Sequence, residues 1–255
     1  MAQQAQVAPF TVAKDLGIAD LRAALGAGWA DFRALPMFGL FFGAIYVVAG
    51  LLIWLGLSSR GAEAWLIPVA GGFPLLAPFV AVGIYEVSRR REAGLPVSWG
   101  AVLGALRGHG DDQILMLGGF IFVGVTFWMI LAHGIFAIFL AESGIGSESL
   151  ALFATTSGLA MLMVGGAIGA VIALVFYAVT VISLPLLVDR EVDFLTAIIV
   201  SLAVVRSNRA VMLAWAAILA VLLGGAMIPA FLGLLIAMPV LGHATFHLYR
   251  RAVNR

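Results

Sequence analysis

Residues 210–249 read AVMLAWAAILAVLLGGAMIPAFLGLLIAMPVLGHATFHLY, a run without a single Asp, Glu, Lys or Arg. As one helix it would be about 60 Å long, twice the roughly 30 Å hydrocarbon thickness of a bilayer. The run must therefore fold back on itself, and GGAMIPA, from Gly224 to Ala230, supplies the turn residues. It predicts a transmembrane hairpin, and that hairpin sets the fold.

The rest of the chain follows the same pattern. Of 255 residues, 63% are hydrophobic and 11% charged, with a mean hydropathy of +1.13. Soluble domains run near 45–50% apolar and about 25% charged. The sequence predicts an all-α, polytopic membrane protein with six transmembrane helices, over about 37–57, 64–87, 114–141, 159–188, 210–227 and 229–249. Residues 1–36 carry no basic region followed by an apolar stretch and a cleavage site. They are expected to remain as a cytoplasmic amphipathic segment, with 250–255 as a basic tail.

Orientation follows from the positive-inside rule. With the N-terminus inside, all of the 14 Lys and Arg residues are cytoplasmic except Arg60. The expectation is a multi-pass protein of the bacterial inner membrane with both termini in the cytoplasm.

Self-alignment suggests three copies of an amphipathic segment plus a hairpin. DLRAALGAGWADFRAL, SWGAVLGALRGHGDDQ and FLTAIIVSLAVVRSNR align with Ala23, Ala101 and Ala197 in register. PFVAVGIYEVSRR from Pro78 matches PVLGHATFHLYRR from Pro239, and Pro185 begins a weaker third copy. Units of one orientation form a parallel repeat, which argues against an inverted-repeat transporter. In this register His247 takes the slot of Glu86 and Asp193, and His243 lies one turn before it. These four residues predict a polar collar at the cytoplasmic edge, with His247 paired to Glu86 or Asp193.

The same histidines invite a haem or metal reading. A six-coordinate haem needs two histidines facing each other at similar depth. His133 lies about 8 residues from the external end and His243 about 14, a mismatch of about 9 Å. A metal on His243 and His247 alone lacks the further ligands of a closed site. No cofactor and no metal are expected, and with no cysteines thiol chemistry and iron–sulfur clusters are excluded.

No charged side chain falls within the hydrocarbon region, where proton relays and ion-coupled carriers usually need one. Pro68, Gly71, Gly72, Pro74 and Pro78 predict a broken or kinked second span. Gly39 with Gly43 and Gly165 with Gly169 form GxxxG pairs, expected to pack helices closely. The amphipathic segments are expected to lie in the interface, with Trp29 and Trp99 at headgroup level and Arg89 to Arg91 near anionic lipid. No phosphate loop, nucleophile elbow or zinc motif is present, so no enzyme is expected. The basic residues hug the membrane and give nucleic-acid binding no support; the expected partners are the lipid bilayer and subunits of a membrane complex.

GAGWADFRALPMFGLFFGAIYVVAG, from Gly26 to Gly50, resembles the N-terminal signature of a domain-of-unknown-function family of bacterial, mainly alphaproteobacterial, inner-membrane proteins. Trp29, Asp31, Phe32, Pro36, Gly39 and Gly43 carry the resemblance. It continues into PLLVDREVDFLTAIIVSLAVVRSNR and PVLGHATFHLYRR, and so over nearly the whole chain. It implies six spans. Some members are labelled cytochrome c oxidase subunit I-like. A haem–copper core needs about six histidines within its helices, and this chain has 4. The leading expectation is a non-catalytic membrane protein acting through helix contacts, accessory to a respiratory or envelope complex or to its assembly. The alternative is a transporter or channel for a small or lipid-like solute.

Overall fold

The structure, a computed structural model, describes residues 10–105, 113–143 and 153–254. The described residues form ten α-helices: α1 Ile18–Ala34, α2 Pro36–Ser58, α3 Leu66–Glu92, α4 Trp99–Gly104, α5 Gln113–Ser143, α6 Thr156–Thr180, α7 Ser183–Asp189, α8 Phe194–Ser207, α9 Arg209–Met227 and α10 Leu234–Ala252. A short antiparallel ribbon joins β1, Thr11–Val12, to β2, Val253–Asn254. The fold is that of an all-α polytopic membrane protein. By length and composition, Pro36–Ser58, Gln113–Phe139, Thr156–Asp189 and Arg209–Met227 can each cross a bilayer. The helices expected as the second and sixth spans, α3 and α10, are apolar at first and end in arginines.

The helices pack in a cyclic order. α1 lies on α10, α4 on α3, and α8 on α6 and α7. Each amphipathic helix thus rests on the returning helix of the hairpin before it, and the first closes on the last. α2 likewise packs on α10, and α5 on α3. The third pair in that order, α9 on α6, is replaced by a cavity of about 370 Å³. Across it the Tyr177 hydroxyl donates to the Met212 carbonyl at 2.7 Å.

α10 is the axis of the molecule, buried along nearly its whole length. α2 approaches it closely at Gly43, where an added Cβ would lie 2.9 Å from the Leu234 oxygen and the Leu235 Cα. At Gly39 the same Cβ would meet the Phe32 ring and Pro239, and at Gly169 the Trp128 ring; at Gly165 it would only touch Ile135.

Two sequence expectations are corrected. α3 does not break at Pro68, Gly71, Gly72, Pro74 and Pro78; one helix runs through all five. Pro68 sits in the first turn, where no intrahelical N–H bond is lost, and each later proline removes a single one. The fourth span is not one helix, because α6 ends at Thr180 and α7 starts at Ser183. Pro185 excludes the carbonyl four residues back, and Ser201 bridges the gap. Its hydroxyl accepts from the Ile182 N–H at 3.3 Å and donates to the Ala178 carbonyl at 2.7 Å.

The hairpin turn begins after Met227, within the Gly224 to Ala230 stretch, and runs on to Gly233. Pro229 ends the helix, and Ala230 and Phe231 take φ of 49° and 66°. Left-handed non-glycine residues cost about 1–2 kcal/mol each. Here Phe231 sets its ring into the notch left by Gly50. The amphipathic segments also pack on the helices of the bundle. α1 packs on α10, and Trp99 packs on Phe38 and Phe41 at 4.4 and 5.0 Å between ring centres.

Asn208, between α8 and α9, ties the N-terminal strand to this framework. Its Oδ1 accepts from Leu16 N–H at 3.1 Å, and its Nδ2 donates to the Ala13 and Val204 carbonyls at 2.7 and 3.1 Å. Asn208→Leu leaves the buried Leu16 amide unpaired, a loss of about 1–3 kcal/mol. Hydrogen exchange is expected to quicken across residues 11–16 in that variant; unchanged protection there would refute the anchoring role.

Candidate functional site

α1 turns Leu21, Ala24, Gly28, Asp31 and Phe32 inward, a spacing of three and four that a helix places on one face. Gly28 marks the closest approach to α10. An added Cβ there would lie 2.6 Å from both the Ala244 nitrogen and the Val240 oxygen. Only a residue without a side chain lets the two backbones meet, and that contact carries Asp31, one turn later, between α10 and α3.

Asp31 is 4% exposed, and Ser88 and His243 are fully buried. Ser88 Oγ lies 2.7 Å from Asp31 Oδ2 and 2.7 Å from His243 Nδ1. His247 Nε2 stands 2.8 Å from the same carboxylate oxygen. Arg91 donates to Oδ1. α1 thus supplies the carboxylate, α3 the hydroxyl and guanidinium, and α10 two imidazoles one turn apart.

Proton positions follow from donor counting. An ionised carboxylate only accepts, so the Ser88 hydroxyl donates to Asp31. His243 must then donate through Nδ1–H to the serine oxygen, which leaves Nε2 as a bare acceptor. That nitrogen is buried and has no partner among the described residues. Burial by itself would raise the Asp31 pKa. The hydrogen bonds from His247 and Ser88, with the charge of His247, outweigh it and hold the carboxyl down at about 2.

The trio is not a nucleophilic triad. A triad sets carboxylate and hydroxyl on opposite imidazole nitrogens, whereas here the hydroxyl sits between carboxylate and imidazole. Ser88 spends its proton on Asp31 and is closed to solvent. The cluster is a charged fastener between three helices.

Of the expected collar, His243 and His247 come together, but Glu86 and Asp193 do not join them. Glu86 pairs with Arg89 at 2.7 Å and Arg90 at 2.6 Å, three and four residues on along its own helix. Asp193 caps α8, accepting from the Thr196 N–H at 2.8 Å and hydroxyl at 2.6 Å. The partner of His247 is therefore Asp31, because α1 fills the space that a bare collar would leave to water. His133 stacks on Trp65, 5.3 Å between ring centres. Trp65 immediately precedes α3 and Ser88 lies near its end, so His133 and His243 lie about 35 Å apart along that helix.

A second ionic cluster fastens the end of α10. Asp189 accepts from the Tyr249 hydroxyl at 2.7 Å and pairs with Arg190 and Arg250, each at 3.0 Å. Arg251 reaches Asp20 and Asp15 at 3.0 and 3.1 Å. Six arginines expected to anchor topology or meet lipid, Arg89, Arg90, Arg91, Arg190, Arg250 and Arg251, are thus matched by carboxylates. Arg107 lies outside the described residues.

The sequence matches a family described as a predicted integral membrane protein, DUF2189, over α3 to α7. The matched segment is residues 66–189. The segment holds Ser88 and Arg91 but neither Asp31 nor the two histidines, so the fastener closes across its boundaries. The stretches that carry the resemblance read from the sequence fall outside it, apart from Pro185 to Asp189. No curated protein and no solved structure matches the chain.

Asp31 and Ser88 were absent from the collar drawn from sequence. The signal for Asp31 was its place on the apolar face of α1, in register with Leu21, Ala24 and Gly28. Ser88 offered no comparable signal.

Proposed function

We propose that this chain is a non-catalytic membrane protein that holds a lipid-like molecule between its helices. The supporting observation is the cavity where α9 should meet α6. Its walls are small and apolar, with Ala170 and Ala173 from α6 facing Ala216, Ala217 and Ala220 from α9. The hydroxyls of Tyr177, Thr180 and Thr245 at its border donate to backbone carbonyls. Apart from Tyr85, what remains for an occupant is hydrocarbon surface, which suits an acyl or isoprenoid chain better than a polar solute. The excess of arginine at the end where the chain termini meet supports a bacterial inner-membrane protein with both termini in the cytoplasm.

Purification in mild detergent, followed by solvent extraction and mass spectrometry, tests the proposal. A retained amphiphile near one per protein is expected, with loss in Ala217→Leu/Ala220→Leu. A wild-type preparation carrying no amphiphile overturns it.

A second reading, an accessory subunit of a respiratory or envelope complex, draws on the other side of α6. There Gly165, Gly166 and Gly169 border a second cavity of about 350 Å³, and nothing lies within 4 Å of a Cβ added at Gly166. Such a notch admits a partner helix. Stoichiometric recovery of another membrane subunit, lost in Gly166→Leu, would favour it.

A further inference from the structure

The cavity between α6 and α9 has a direction. On α9 its lining runs from Leu213 through Ala216, Ala217 and Ala220 to Leu223, a helical stripe about 15 Å long. That is half the roughly 30 Å hydrocarbon core, the depth of one leaflet. One turn before Leu213, on the same stripe, stands Arg209, the first residue of α9. Arg206, in the last turn of α8, stands three residues earlier. Side chains on a helix lean toward its N-terminus, so Arg209 leans out of the groove toward headgroup level.

These two arginines differ from most of their neighbours. Both are exposed, and neither has a carboxylate partner among the described residues, whereas Arg89, Arg90, Arg91, Arg190, Arg250 and Arg251 are all paired. Positive charge without a counter-ion among the described residues thus stands at one end of an apolar groove of single-leaflet length.

Resting on the lipid-holding role above, we infer that the occupant is an anionic glycerophospholipid of the leaflet on the side of the chain termini. One acyl chain lies between α6 and α9 in place of the missing helix contact, and the phosphate meets Arg209 and Arg206. The chain supplies the apolar contact that α2 gives α10 and α5 gives α3, and the guanidiniums select the headgroup by charge and hydrogen bonding.

The test is native mass spectrometry of the delipidated full-length protein, titrated with phosphatidylglycerol or phosphatidylcholine bearing identical chains. Wild type is expected to bind phosphatidylglycerol on the order of tenfold more tightly, with the preference shrinking as salt rises. Arg206→Gln/Arg209→Gln should abolish the preference and leave phosphatidylcholine binding unchanged. Ala217→Leu/Ala220→Leu should weaken both lipids, with Ala217→Val as the milder filling variant should the double one misfold. Equal wild-type affinity for the two lipids, or an unchanged preference in the arginine variant, overturns the headgroup assignment while the groove reading stands. Wild-type affinity for both lipids in the filled variants removes the groove reading as well.

Discussion

Asp31→Asn is expected to lower the melting temperature of the detergent-purified protein by about 10 °C, from a loss of about 3 kcal/mol. Ser88, Arg91 and His247 all turn to this carboxylate, and its side chain is 5% exposed. Removing one member of a buried charge group strands the others, and the stranded groups cost more than the pairing contributed. Arg91, 40% exposed, can turn to water; Ser88 and His243 cannot. Asp193→Asn is the control, since it perturbs an exposed cap whose complete loss costs about 1 kcal/mol. A drop no larger than that of the control would remove Asp31 from the centre of the fold.

The same carboxylate fixes a pH dependence. Its folded pKa, about 2, lies below the ordinary aspartate value near 3.9. Stability from this group is therefore fully present above the ordinary value and is lost as pH falls through the folded one. A melting curve followed from pH 5 to pH 2 should decline for wild type by more than for Asp31→Asn. Parallel declines would show that other carboxylates govern acid unfolding.

Gly28→Ala is expected to be the most damaging single-methyl addition. The new carbon would sit 2.6 Å from backbone atoms of Val240 and Ala244, and backbone on a buried helix cannot step aside as a side-chain tip can. Overpacking of side chains costs about 1–3 kcal/mol; here the outcome is displacement of α1 as a unit. Limited proteolysis should cut within residues 18–34 at a rate at least tenfold above wild type. Gly26→Ala, whose added carbon meets nothing within 4 Å, should leave that rate unchanged. Equal rates for the two variants would show that α1 and α10 are not locked at this contact.

Much of the architecture could be read from the sequence because membranes impose simple arithmetic. An uncharged run twice the bilayer thickness must double back, and Ala210 to Tyr249 does. Details that depend on what packs where were hidden. The turn was legible as Gly224 to Ala230, but not that Phe231 would close it with its ring in the Gly50 notch. Pro185 reads as the start of a weaker repeat copy inside a continuous span, and it separates α6 from α7 because Ser201 on α8 is placed to satisfy the exposed amide. The collar failed for a related reason. Register within one helix can align His247 with Glu86, but it cannot show that a third helix brings Asp31 between them. Apolar periodicity in α1 put Asp31 on the inward face; its partners lay on α3 and α10, beyond any local pattern.

The pairing of α1 with α10 has a consequence for how the chain is made. Asp31 and His247 are 216 residues apart, and at about 5–20 residues per second the ribosome needs roughly 10–40 seconds to synthesise the interval. Throughout that time α1 has left the ribosome without the helix it will rest on. Its carboxylate must wait in water or among headgroups while the intervening hairpins insert. α10 completes α1 long after α1 is made, and a chain cut short before residue 243 leaves α1 undocked.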